Sequence, residues 1–294
     1  VQKVYPLVWR WGDNKRNTVT VKATADHRWI LSGGRTVTTE YWLSGGVDGR
    51  YTIPHLRPPK IDEDEAEYCE GLVHGAIFGD GSQYQGYAHL NLCEKKREIT
   101  DLFSGILGIA PNHYVINGVD VDRFHIKTDI NYKAIPFGCS ESYLKGFFSG
   151  LLATDGSVTQ SGRGCEVTVY GQLDLIEFLE ERIPYIGHST TYRRLMGKKG
   201  QITNYGTRNK DVWTLGIHPS SLEASDFVRK SQRDKHRITT NGLRTSAVWR
   251  LVSVGEEFTE EEVFCCHEPI TTSFAIFNGM MTGQCVVSST IEDS

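Results

Sequence analysis

The first fifty residues alternate. In "NTVTVKATADHRWIL" β-branched and apolar positions recur every second residue, which predicts short half-buried strands, and "RTVTTEYWL" after a Gly-Gly turn predicts another. "LRPPK" interrupts this regime and marks a boundary near Pro58. The period then changes: "DEDEAEYCEGLVHGAIFG" predicts a helix with acidic residues in its first turn, "YQGYAHLNL" an extended stretch, and "EKKREITDLFSGILG" a second helix. The same order follows again, with "ESYLKGFFSGLLA" helical, "GCEVTVYG" a strand and "LDLIEFLEERI" helical. From Ser246 the chain returns to strand patterns in "SAVWRLVSV", "EEVFCCHEP" and "SFAIFNG". The pattern predicts an all-β segment interrupted by an α+β insertion of roughly 180 residues, an ordinary domain size.

Within the insertion one phrase is written twice, as "GLVHGAIFGDGS" and "GFFSGLLATDGS". Gly71 aligns with Gly146, Gly75 with Gly150, Gly79 with Thr154, Asp80 with Asp155 and Ser82 with Ser157, at a constant offset of 155 − 80 = 75. Gly71, Gly75 and Gly79 fall at i, i+4 and i+8, on one face of a helix. Each glycine costs a helix about 1 kcal/mol relative to alanine, so two helices that accept the cost are expected to pack backbone to backbone along this stripe. Asp80 and Asp155 would then meet at the base of the pair. Two carboxylates so placed need a cation, and hard oxygen donors suit Mg²⁺. Such a centre can activate water and stabilise a leaving oxygen in phosphodiester hydrolysis. The competing reading makes each Asp-Gly a helix stop with its carboxylate on the surface; repetition in register weighs against it.

Composition adds constraints. The chain has 294 residues and a formal net charge of −4, so no overall basic character announces a polyanion partner. Between Gly187 and Arg250, however, 13 Lys and Arg face 4 Asp and Glu, a local excess of 13 − 4 = +9 that permits one. Seven cysteines without a CxxC pair, two of them adjacent at Cys265 and Cys266, fit free thiols in a reducing compartment. The apolar runs fall short of a membrane span and the N-terminus has no signal-peptide pattern. The expectation is a soluble cytoplasmic protein without membrane contact.

The paired phrases resemble the signature helices of the LAGLIDADG homing endonucleases, over roughly residues 62–238. The resemblance implies a pseudo-twofold domain of αββαββα repeats that makes double-strand breaks in DNA at a long recognition site. It also implies a monomer with two or three divalent ions, Mg²⁺, shared by Asp80 and Asp155 as metal-binding and catalytic residues. "NYKAIPFGCSESYLKGFFSGLLATDG" further resembles the form found in intein-borne members, where a lysine before an Ile-Pro pair is implicated in catalysis. Here that lysine is Lys133, ahead of Ile135 and Pro136. Fifty-three residues separate Asp80 from Lys133; the same step from Asp155 reaches Arg208, with Lys210 nearby as the second-half basic residue. The strands after each helix would enter the major groove, which admits a two-stranded ribbon. Flanking Lys and Arg would contact phosphates and make affinity salt-dependent.

The flanks resemble the Hint fold of inteins. "VTVKATADHRWIL" carries Thr24 and His27 in the family's Thr-x-x-His spacing, which implies that they activate an upstream scissile amide. "VFCCHEPITTSFAIFNGMMTGQC" resembles the closing blocks, with the splice junction at Gln284–Cys285. Three positions depart from that pattern: Thr272 and Gly283 stand where the family has histidines, and Gln284 replaces the terminal Asn. The family's first block is not visible ahead of Val1, so splicing is expected only with a separate N-terminal intein fragment. The domain assignment is 1–60 and 241–285 for the two parts of the Hint domain, 61–240 for the endonuclease and 286–294 for host-protein remnant. Two alternatives stand beside the endonuclease: a trans-splicing module, and a DNA-binding protein of the same fold without cleavage.

Overall fold

The computed structural model describes residues 1–11, 18–32, 34–46, 51–54, 64–161, 164–203, 206–240, 248–263, 273–276 and 280–283. The chain forms two compact units, one made of Val1–Arg57 with Thr245–Ser294 and the other of Pro58–Arg244.

In the first unit the strand Gln2–Trp11 is the hub. It pairs antiparallel with Thr18–Thr24, with Val248–Val254 and with Thr259–Glu261, and Val248–Val254 pairs in turn with Thr52–Pro54. Segments before and after the insertion therefore share one sheet. They also share one core, built on Trp9, Trp29, Trp42, Ile53, Trp249, Leu251 and Met280. The Trp9 ring lies 5.0 Å from Trp29 and 5.6 Å from Trp42, within aromatic contact range.

One strand expectation changes here. "RTVTTEYWL" is a strand only over Thr36–Thr38, followed by a helical turn at Thr39–Tyr41 and a wider turn at Trp42–Gly46. Thr38 explains the switch: its hydroxyl accepts from the Tyr41 amide at 3.3 Å, an N-cap that competes with strand continuation. Of "EEVFCCHEP" only Glu261, the end of the strand Thr259–Glu261, Glu262 and Val263 are described; the rest lies outside the described residues.

The second unit reads its repeat literally. The first half runs α1 (Glu65–Asp80), β1 (Gly81–Tyr84), β2 (Tyr87–Cys93), a 3₁₀ turn at Glu94–Ile99 leading into α2 (Thr100–Leu107), β3 (Asn112–Ile116) and β4 (Val119–Lys127). The second half runs α3 (Glu141–Asp155), β5 (Gly156–Ser161), β6 (Gly164–Gly171), α4 (Leu173–Arg182), β7 (Thr190–Gly197) and β8 (Val212–Ile217), and α5 (Lys230–Thr240) follows. The sheets have matching orders, β1-β2-β4-β3 and β5-β6-β8-β7. Each packs one face on its own core: Ala88, Leu90, Leu92 and Phe124 in the first, Val167, Val169, Leu215 and Ile217 in the second. The opposite face of the first sheet exposes His125 and Lys127, whereas that of the second buries Thr168 and Thr214.

Asp64 caps α1, accepting from the Glu67 amide at 3.0 Å, and Ser140 caps α3, accepting from Tyr143 at 3.2 Å. The two helices then meet backbone to backbone. A methyl on Gly71 would lie 2.1 Å from the Tyr143 carbonyl oxygen, and one on Gly146 would lie 2.0 Å from that of Tyr68. Gly75 faces the Phe147 oxygen at 2.0 Å and Gly150 the Leu72 oxygen at 2.2 Å. Adding or subtracting 75 exchanges the members of each couple, so the repeat offset is the operation of a local twofold running between α1 and α3. Near its end the two halves differ in a complementary way. Gly79 corresponds to Thr154, and a Cβ on Gly79 would come within 2.3 Å of the Thr154 hydroxyl. Opposed residues on an axis compete for one space, and here the threonine fills it.

Candidate active site

The helices end where the axis leaves the seam, and both end in aspartate. Gly81 and Gly156 follow with negative φ, so no left-handed conformation demands them. Close approach does. A side chain on Gly81 would meet the Ile77 oxygen at 2.5 Å and the His89 oxygen at 2.6 Å, because the chain turns straight from helix into sheet. That turn holds each aspartate at the junction of helix and strand.

The two carboxylates are close. The Gly79 Cβ position, one residue before Asp80, lies 3.2 Å from Asp155 Oδ2. Burial first, and then the charge of Asp80, push the Asp155 carboxyl above the usual carboxylate range, against the opposing pull of Lys96 and Lys133. Asp80 itself is ion-paired with Lys96, which projects from the 3₁₀ turn after β2. Among the described residues Asp155 has no ion pair of its own.

Lys133 comes to this place from the loop before α3. Its ammonium donates to the Ile77 carbonyl at 2.8 Å and the Phe78 carbonyl at 2.7 Å, the last turn of α1, where the helix dipole favours a cation. Burial draws it below the ordinary lysine range, while Asp155 and Asp80 pull the other way. It borders a cleft of about 270 Å³ lined also by Phe78, Ile135, Phe137 and Gln172.

Applying the offset to the carbonyls that hold Lys133 gives Leu152 and Ala153. Gln232 donates to the Leu152 oxygen at 2.9 Å, and Arg229 donates to the Ala153 oxygen at 3.3 Å. Arg229 and Gln232 are thus the second-half counterparts of Lys133. Lys210 is placed elsewhere. It donates to Gln172 at 3.2 Å, on the same cleft that Lys133 borders. Counting 53 residues forward misses Arg229, 229 − 155 = 74 residues on, because connections lengthen in the second half: two residues separate β3 from β4 and fourteen β7 from β8, and Lys133 follows its last strand by six residues but Arg229 by twelve. Arg229 is also tied down. Its Nε donates to Glu98 at 3.0 Å; burial would raise the Glu98 carboxyl, but hydrogen bonds from Ser231 and Arg229 hold it below its usual value.

In the other unit, Thr24 is buried with its hydroxyl unpartnered, and its carbonyl accepts from the His27 amide at 3.2 Å. The His27 ring sits 2.5 Å from the Thr282 hydroxyl, and burial lowers its pKa to about 4, with a raising influence from Asp26 and a lowering one from Arg28. Gln284 and Cys285 lie outside the described residues.

No family model and no curated protein matches the chain. Solved structures similar to part of it include the N-terminal LAGLIDADG domain of DUF199/WhiA, at 12% identity and a TM-score of 0.36, covering 52% of this chain and 78% of that one. Another is a variant of the homing endonuclease I-DmoI in complex with its target DNA in the presence of Mg, at 13% identity and a TM-score of 0.37, covering 61% and 98%. A third is the I-LtrWI LAGLIDADG homing endonuclease bound to target DNA, at 8% identity and a TM-score of 0.36, covering 60% and 91%. Among the described residues no helix is long and apolar enough to cross a membrane.

Proposed function

We propose that the Pro58–Arg244 unit is a site-specific DNA endonuclease that cuts both strands with divalent metal. The observation that carries this reading is the convergence of Asp80 and Asp155 from two symmetry-related helices, with Asp155 held up by burial and by its neighbour's charge. Like charges in partial burial are relieved by a cation, and the all-oxygen donor set suits Mg²⁺. Among the described residues no three His, Cys, Asp or Glu side chains converge, so water and phosphate oxygens of the substrate would complete the shell. The metal, when bound, supplies charge to the scissile phosphate and lowers the pKa of water.

The chain's own residues do the rest. Asp80 and Asp155 would hold the divalent ions that serve the two scissile phosphates. Lys133 brings positive charge to the first-half side, where it stabilises developing phosphate charge. The faces of the two sheets turned away from their cores lie on the duplex and set its register. A single chain carries both halves, so a monomer suffices.

The test uses purified full chain, Mg²⁺ and a plasmid library bearing randomised sites. Double-strand breaks at a selected site are expected, and Asp80→Asn or Asp155→Asn should abolish them while binding persists. Wild-type cutting by both variants would refute the assignment.

A second reading is supported by the contact between His27 and Thr282, which sets the Thr24-to-His27 segment beside the strand that precedes Gln284. It makes the first unit a Hint-type splicing module acting with an upstream fragment. Intact-mass analysis after mixing with such a fragment tests it: ligated product is expected, and unchanged masses reject it.

A further inference from the structure

The open face of the first sheet differs from its core face in one respect that matters for a polyanion. Along β4, Asp120 and Asp122 alternate onto the core side with Phe124 and Ile126, while Arg123, His125 and Lys127 face out. Opposite them on β2 stand Asn91, His89 and Tyr87, in register with Arg123, His125 and Lys127 respectively. Beside Cys93, Val119 and Val121, the outward rows therefore carry amide, imidazole, phenol and cation, and no carboxylate.

Arg123 is held within these rows in a particular way. Its Nε donates to Asn91 Oδ1 at 2.6 Å, and its guanidinium lies 5.3 Å from the Tyr114 ring centroid, within cation–π range. Three other guanidiniums of this unit end on carboxylates: Arg97 on Asp120 and Asp122, Arg193 on Glu177 and Glu180, Arg229 on Glu98. Arg123 has no carboxylate partner among the described residues. Its inner nitrogen and its plane are fixed, and both terminal nitrogens remain for a ligand. Two parallel N–H donors in a fixed plane match guanine O6 and N7 in the major groove.

We infer that Arg123 reads a guanine in the DNA half-site bound by the first sheet, with Asn91 as its positioning residue. The inference rests on the endonuclease reading above and deepens it. The second sheet cannot repeat the contact. Leu90 pairs with Gly81 as Val169 pairs with Gly156, so Tyr170 corresponds to Asn91; its cross-strand partner is Thr214, which is buried and donates to the Val169 carbonyl. The Arg123–Asn91 contact therefore belongs to one half of the site only. Outward residues two apart on a strand are about 6.8 Å apart, roughly two base-pair steps at 3.4 Å each. His125 should accordingly influence a base pair about two steps from that guanine.

The experiment is selection of binding sites from a randomised duplex library by the full chain in Ca²⁺, followed by affinities on single-substitution sites at several salt concentrations. The expected result is one strongly preferred guanine whose preference Arg123→Ala reduces by about 5- to 150-fold. Arg123→Gln should move the preference at that position towards adenine, which glutamine pairs bidentately. Asn91→Ala should weaken the same preference with the salt slope unchanged. If Arg123→Ala instead weakens all sites equally and lowers the salt slope by about one, Arg123 is a phosphate contact and the inference fails. Wild-type protein that selects no sequence would overturn the DNA reading itself. Wild-type selection that survives unchanged in Arg123→Gln overturns this inference alone.

Discussion

The two ends of the central helix pair are built on the same backbone and furnished differently. At α1 the last carbonyls take a lysine from a short loop, and the terminal Asp80 is ion-paired with Lys96. At α3 the equivalent carbonyls take an arginine and a glutamine, the arginine is committed to Glu98, and Asp155 is half-buried with no ion pair among the described residues. The difference teaches what the twofold has to preserve. Backbone approach along the seam leaves no latitude, so the glycines repeat. A carbonyl cap needs only a donor of suitable reach, so Lys, Arg and Gln all serve. Once the caps differ, the two aspartates have unlike surroundings, and on the proposed endonuclease reading symmetry no longer enforces equal cleavage of the two strands.

The seam gives the largest expected effect on stability. Gly75→Ala and Gly150→Ala each drive a methyl into a facing backbone carbonyl at 2.0 and 2.2 Å, and a backbone cannot swing aside as a side chain can. Overpacking of this kind costs about 3 kcal/mol or more, and the local twofold predicts near-equal losses from the two variants. Chemical denaturation measures both. A large inequality would show that the helices are not related as the contacts indicate.

Next in size is the pair on the axis. Gly79→Ala should cost about 1–2 kcal/mol, because the threonine hydroxyl in its path belongs to a side chain that can turn. Thr154→Gly opens that space and should recover most of the loss. A double-mutant cycle reads the coupling directly, and additive effects would mean that the two positions do not share a volume.

These seam residues were legible in the sequence, and the reason is physical. A glycine stripe at helical spacing answers a local demand, and the demand recurs at a fixed offset wherever the backbone recurs. The aspartates could be found for the same reason, since they are covalently next to the seam. Lys133 was reachable through a resemblance, but Arg229 and Gln232 were not. They arrive through loops whose lengths differ between the halves, and no count along the chain anticipates which residue a longer loop returns to a carbonyl. Lys96 was hidden in "EKKRE", which reads as a solvated charge run until the 3₁₀ turn at Glu94–Ile99 brings one of its members to Asp80. Likewise the helical turn at Thr39–Tyr41 came from a capping hydroxyl inside a pattern that otherwise predicts strand.

The unlike caps predict unlike kinetics. Lys133→Ala should slow cleavage of one strand by about 10²-fold while changing affinity little, because a charge poised at developing phosphate charge acts on the rate. Arg229→Ala should act mainly on stability, by about 1–3 kcal/mol, since it removes the charge paired with Glu98, which keeps only its Ser231 hydrogen bonds, and the donor to the Ala153 carbonyl. Single-turnover assays with each strand labelled separately distinguish the two. Equal rate losses on both strands from either variant would make the two caps functionally equivalent after all.

The smallest effect is in the pH dependence, and it sharpens the same contrast. Lys133 has its pKa lowered from the ordinary lysine value, chiefly by burial, so its charge is lost at a lower pH than that of an exposed lysine. A divalent cation on the neighbouring carboxylates would push it further in the same direction. The first-half strand should therefore show a cleavage rate that falls on the alkaline side below the usual lysine range. A guanidinium does not titrate there, so no matching fall is expected from Arg229 on the other strand. Lys133→Arg should keep the charge and remove the alkaline fall, even if the altered reach lowers the plateau. Strand-resolved single-turnover rates across the alkaline range, in buffers that keep the metal soluble, make the comparison. Identical alkaline limbs on both strands, unchanged by Lys133→Arg, would show that the charge on Lys133 does not reach the reacting phosphate.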